Sequence, residues 1–293
     1  MIEIRDIIKS YGEKEILHSL NFNIEKGKVH AFLGRNGAGK TTFIRGFMNI
    51  FKFDQGTIKI NGQDFRPKDH RIGYLPEERG MYKNVPILEQ LLYFSNLRGI
   101  REKEARESIL YLLEKLELDH AANDKLETLS KGNQQKVQLI QSLMNEPEII
   151  ILDEPFSGLD PVNSQILQDL ILELMDEDSY MIFSSHQMSH VENICENLTM
   201  IDHGSIVLDG NISEIKKEKG KGSLYLKTSG DPSQVLQDKG YEYERKADML
   251  IIELGSNTKE DLLGLLMKEK IEIKEFGDYL PSLNEIYIET VGD

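Results

Sequence analysis

The chain has 293 residues, with 35 Lys and Arg against 50 Asp and Glu and a formal net charge of -15. With 39% hydrophobic and 29% charged residues and only 8 prolines, the composition is globular, not disordered, and the length suits about two domains. No window approaches the roughly 18 uninterrupted apolar residues of a membrane span. The charged start MIEIRDIIKS lacks the apolar core of a signal peptide, and the single Cys195 excludes an internal disulfide or a cysteine-based metal cage. The acidic balance argues against broad contact with nucleic acid or anionic lipid, so a cytoplasmic protein is expected.

In chain order, IEIRDI, LNFNI and TIKING are spaced like antiparallel strands around turns such as Asn61-Gly62. VHAFLG (29–34) is a buried strand by pattern, and TTFIRGFMNI after it is a helix. Ile109, Leu112, Leu113 and Leu116 recur at helical spacing, with Glu107, Glu114 and Lys115 on the other face. IIIL (149–152), MIFSS (181–185) and LTMID (198–202) are further buried strands, so the first two thirds predict an α/β fold with a largely parallel sheet. KKEKGKGS (216–223) has the composition of a linker. Beyond it, SLYLKTS, DPSQVLQD, YEYERKADMLIIEL, KEDLLGLLMKEK and IEIKEF predict a small α+β domain of β-α-β-β-α-β type. The expected domains are therefore 1–218 and 222–293.

GRNGAGKT (34–41) fits the phosphate-binding pattern of two glycines, a lysine and a hydroxyl residue, placed between a strand and a helix. Gly37 and Gly39 let backbone N–H groups turn inward around an anion, and the following helix adds its positive end. Lys40 supplies a charge for the β- and γ-phosphates, and the Thr41 hydroxyl is placed for Mg²⁺. EIIILDEP (148–155) is a buried strand ending in two carboxylates. Strand alternation predicts that Asp153 and Glu154 diverge, one holding a metal's water shell and the other polarising an attacking water. Together these motifs specify a P-loop nucleotide triphosphatase. Between them LSKGNQQKV (129–137) has Ser130 as an N-cap and Gly132 permitting close approach. Taken alone it is only a capped helix, and the lone His186 ending MIFSSH is only a residue after a strand.

The ordered set GRNGAGKT, LSKGNQQK, IIILDEP, SGLD and SSH resembles the ATP-binding subunit of an ABC transporter over roughly residues 1–215. That resemblance implies a P-loop ABC ATPase with an antiparallel β subdomain and a helical subdomain. It also implies two such subunits sandwiching two ATP molecules head to tail. Gly34, Asn36, Gly37, Gly39, Lys40, Thr41 and Thr42 would hold the phosphates, and Tyr11 would stack on adenine. Ser130 and Gly132 would contact the γ-phosphate on the partner's loop, and Asp160 would link across the dimer. Glu154 would be the general base, Asp153 a metal-shell carboxylate and His186 the γ-phosphate sensor. Two departures stand out. Lys131 and Asn133 occupy positions that are commonly glycine and glutamine, with Lys131 expected to face solvent. Glu77, in GYLPEERG (73–80), stands where a glutamine usually ligates Mg²⁺, a role that a carboxylate can also fill. GYLPEERG, MYKNVPILEQLLYFSNLRG and the ending PSLNEIYIETVGD resemble the bacterial sodium-extrusion and drug-exporter subgroup. Its members power a separate membrane permease, facing it through the segment from about Glu77 to Arg98, from the inner face of the cell membrane.

A soluble ABC ATPase not coupled to transport is the alternative. Ribosome-acting members carry two cassettes where this chain has one, and DNA-repair members carry a long heptad insertion absent here. A GTPase switch is disfavoured by the missing Asn-Lys-x-Asp element. Cys195, in the amphipathic VENICENL, is expected to be a small packing residue.

Overall fold

Ile2, Ile4 and Ile7 lie buried along the first strand, whose register slips where Asp6 takes φ +51°. We describe this from a computed structural model covering residues 1–78 and 80–292. In chain order the first elements are β1 (Ile2–Tyr11), β2 (Lys14–Ile24), β3 (Val29–Leu33), α1 (Lys40–Phe47), β4 (Gln55–Ile60), β5 (Gln63–Asp64) and β6 (Ile72–Leu75). Three helices follow, α2 (Ile87–Leu97), α3 (Glu102–Lys115) and α4 (Lys131–Leu143), which pack on one another. Then come β7 (Ile149–Asp153), α5 (Pro161–Leu174), β8 (Tyr180–Ser185), α6 (Met188–Ile194), β9 (Asn197–Asp202) and β10 (Ser205–Asn211).

Two sheets organise this part. β2-β1-β4-β5 is antiparallel, and β10-β9-β3-β8-β7-β6 is parallel except for its β9–β10 hairpin. At the β4–β5 turn Asn61 and Gly62 have φ +50° and +81°, the double positive φ that an Asn-Gly hairpin requires. β3, β7 and β8 are buried along their whole lengths, as the apolar runs predict for strands covered on both faces. Phe22, Phe32 and Phe43 stack between the sheets and α1, tying the helix behind the glycine-rich loop to the core.

The chain divides into two compact units, Met1–Ile212 and Ser213–Asp293. Residues 216–219 are not a linker but the end of helix α7 (Ile212–Lys219), and only 220–222 form a turn. Ile212 and Ile215 are buried on this helix, and Lys216, Lys217 and Lys219 occupy its last turn, where cations suit the negative helix end.

The second unit continues with β11 (Ser223–Thr228), α8 (Ser233–Asp238), β12 (Glu242–Lys246), β13 (Met249–Glu253), α9 (Lys259–Lys268), β14 (Ile273–Asp278) and α10 (Leu283–Val291). Its sheet, β12-β13-β11-β14, is wholly antiparallel and carries the β-α-β-β-α-β order. Leu224, Leu226, Leu250 and Ile252 from the strands meet Leu236, Leu262 and Leu266 from α8 and α9 in a separate core.

Candidate functional site

The glycine-rich loop leaves β3 and enters α1 at Lys40. Gly37 has φ +85° and Gly39 φ +112°, and a Cβ on Gly39 would lie 2.6 Å from Leu17 Cδ2, so backbone angle and space both demand glycine there. Lys40 is 7% exposed, and its Nζ donates to the Gly34 carbonyl at 2.6 Å. Burial pushes its pKa down, while Glu154, Asp153 and Glu77 pull it back up. A buried ammonium whose hydrogen bonds go only to carbonyls has no anion in direct contact, which leaves it open to an anionic ligand.

β7 ends at Asp153, which is 1% exposed. One carboxylate oxygen accepts from Ser184 Oγ on the neighbouring strand β8, and Oδ2 has no partner among the described residues. Burial raises the Asp153 pKa, with the Ser184 hydrogen bond opposing it. Glu154 does not diverge from Asp153 as strand alternation predicts; both line one cavity. The reason is local. Glu154 takes φ +52°, which turns its side chain back and costs a non-glycine residue about 1–2 kcal/mol. Its backbone N–H donates to the Ser184 carbonyl at 3.1 Å, and its Oε2 lies 2.9 Å from His186 Nδ1. Burial raises the Glu154 pKa, and the His186 contact lowers it.

The cavity measures about 420 Å³. Asn36, Gly37, Gly39, Lys40, Thr41 and Thr42 form its phosphate-loop side, Glu77, Asp153 and Glu154 its carboxylate side, and Tyr11 the outer end. Tyr11 is 52% exposed, with Phe51 edge-on at 5.9 Å and Lys9 Nζ 5.5 Å from its ring centre. Gly34 stands behind the loop through its carbonyl, and His186 reaches the site through Glu154. Ser130, Gly132 and Asp160 do not line this cavity. Ser130 caps α4 by accepting from Asn133 N–H, and Asp160 caps α5 by accepting from Asn163 N–H. The Cβ position of Gly132 is 3.3 Å from Leu159, so LSKGN and SGLD are neighbours. Lys131 is exposed.

Sequence inspection passed over three contributors. Ser184 holds Asp153, and Arg35 lines the cavity. Gln138 donates from α4 to the carbonyls of Pro76 and Glu78, on either side of Glu77. Arg35 had a signal, since it lies within GRNGAGKT, whereas the pairing of Ser184 with Asp153 is a register between two strands that no local pattern shows. In GYLPEERG, Arg79 lies outside the described residues.

The family profile "ABC transporter" matches residues 17–157, and that of the C-terminal domain of "ATP-binding protein DrrA1-3-like" matches residues 210–291. The uncharacterized ABC transporter ATP-binding protein YhaQ of Bacillus subtilis is 35% identical, over 100% of this chain and 99% of its own. The chain belongs to the ATP-binding subunits of ABC transporters. The bacitracin transport ATP-binding protein BcrA of Bacillus licheniformis is 31% identical, over 100% of this chain and 97% of its own. A solved ATP-binding subunit of an ABC transporter superposes with TM-score 0.68 at 27% identity, covering 75% of this chain and 93% of that one. As a member of this family the ABC subunit hydrolyses ATP and powers a membrane permease. Among its described residues no helix is long and apolar enough to cross a membrane.

Proposed function

We propose that this subunit binds Mg-ATP in the 420 Å³ cavity and drives an exporter as a homodimer. The observation that carries the reading is the convergence of Lys40, Thr41, Asp153 and Glu154 on one cavity, with Tyr11 at its outer end. Lys40 and the loop N–H groups bind the phosphates, and Tyr11 stacks on the base. Thr41, Glu77 and Asp153 are hard oxygen donors, and the unpartnered Asp153 Oδ2 fits an ion that keeps much of its water shell. Bound magnesium supplies charge neutralisation on the phosphate oxygens.

Glu154 is the general base: burial makes its carboxylate a better proton acceptor, and His186 at 2.9 Å orients it. Ser130, Gly132 and Asp160 cap or flank helices outside this chain's own cavity, which supports their acting on the ATP of a second copy. The exposed Tyr82 and Tyr93, near and on α2, belong to the segment offered to the permease, which holds the subunit at the inner membrane face. The direction rests on the bacitracin-transport relative and the C-terminal domain match.

Glu154→Gln tests the chemistry. It should retain ATP binding and lower turnover by roughly 10²-fold or more. Turnover near the wild-type rate would remove Glu154 from the role of base.

A further inference from the structure

A second cavity, of about 530 Å³, lies between the end of α1 and the segment after β5, apart from the phosphate loop. Its walls are aromatic. Phe47 and Phe65 stand 4.5 Å apart, and Phe51 meets Phe53 edge-on at 6.3 Å. Gly46 makes room for them: a Cβ there would lie 2.3 Å from the Phe53 ring.

The rim is cationic. Lys52, Arg66 and Lys68 all line the cavity, all three are exposed, and no carboxylate lines it with them. Among the described residues, none of the three side chains has a hydrogen-bond or ion-pair partner. The contrast with nearby Lys9 is direct, since that ammonium is held by Asp54 at 2.7 Å. In a chain with 50 acidic and 35 basic residues, three unpaired cations around one apolar hollow form a local reversal of charge.

Rings below and cations above match a ligand with an apolar body and an anionic head. The volume falls within the roughly 300–1,000 Å³ of small-molecule sites. A bilayer is a poorer match. Phe47 is 1% exposed and the other three rings are partly buried, so they line a hollow without projecting as membrane anchors, and the net charge of -15 repels an anionic surface. We propose that this cavity binds a small amphiphilic anion, an aromatic or short-acyl body bearing a phosphate or carboxylate.

The test uses the full chain with saturating Mg-ADP, so that the phosphate loop is filled. Anilinonaphthalene sulfonate should bind with a dissociation constant on the order of 10–100 µM, and octyl phosphate should displace it. Octyl glucoside, with the same tail and no charge, should be at least about tenfold weaker. A Lys52→Gln, Arg66→Gln, Lys68→Gln triple variant should lose about tenfold or more in octyl phosphate affinity, and each single variant a part of that, with ADP affinity unchanged. Equal displacement by octyl glucoside, or unchanged octyl phosphate affinity in the triple variant, overturns the proposal. Vesicles of phosphatidylglycerol separate the sources of the anion. The lone subunit should stay in the supernatant, and cation-dependent sedimentation without octyl phosphate binding would assign the rim to membrane instead.

Discussion

The ATP-binding unit buries His30, Lys40, Lys136, Asp153 and Glu154, whereas among the described residues beyond 212 no polar or charged side chain is buried at all. Removing a charge from water is costly unless a partner or ligand compensates it. In the first unit Lys40, Asp153 and Glu154 gather at one cavity, beyond the ends of parallel strands, where open α/β sheets bind ligands. Lys136 shows that burial alone does not make chemistry, since its ammonium only donates to the Leu116 carbonyl at 3.0 Å. The C-terminal unit is held by apolar packing and by surface devices. One is the Lys246–Glu285–Tyr279 cluster, and another is the capping box of Ser282 and Glu285. Its charged side chains stay in contact with water, where they need no buried partner.

That contrast can be broken from either side. Leu262 on α9 is fully buried in the second core. Leu262→Ala should destabilise that unit by about 2–5 kcal/mol, seen as faster hydrogen exchange across 223–278, with ATP turnover unchanged. A parallel loss of turnover would mean that the second unit serves the chemistry.

The first unit should respond to acid through His30. Its ring is buried, Nε2 lies 2.8 Å from Thr199 Oγ1, and burial lowers its pKa from 6.5 to about 4. Between those values the unfolded chain binds the proton and the folded chain does not, so stability falls as pH drops from 6.5 toward 4. The loss attributable to this group is about 3 kcal/mol across the window. Urea unfolding of His30→Gln should show a correspondingly shallower acid slope; an identical slope would mean that His30 binds its proton as readily in the native protein as in the unfolded chain.

Glu77 is expected to give the smallest effect. Glu77→Gln keeps an oxygen donor and should change turnover by less than about tenfold, or roughly 1.4 kcal/mol. Glu77→Ala should raise the magnesium concentration needed for half-maximal rate, and an unchanged requirement would remove Glu77 from the metal's surroundings.

Much of this architecture is legible in the chain itself. Apolar runs marked β3, β7, β8 and β9 because strands buried on both faces admit little else. The phosphate loop was legible because its glycines answer a backbone demand, visible at Gly37 and Gly39. The turn at Glu154 was not, since a left-handed glutamate has no compositional mark and alternation pointed the wrong way. Residues 216–219 resembled a linker by lysine content, although Ile212 and Ile215 already gave the helix a buried side. The start of helix α10 is marked in the sequence too, by the capping-box spacing of Ser282 and Glu285. The clamp of Gln138 on the Glu77 segment joins distant parts of the chain, and no local pattern encodes such a contact.

The division of labour between the units is tested most directly by ending the chain after Ile212 and measuring Mg-ATP binding by calorimetry. The dissociation constant should lie within about threefold of the full chain's, under roughly 0.7 kcal/mol. A shortened protein that keeps its helical and strand content by circular dichroism, yet no longer binds Mg-ATP, would contradict it.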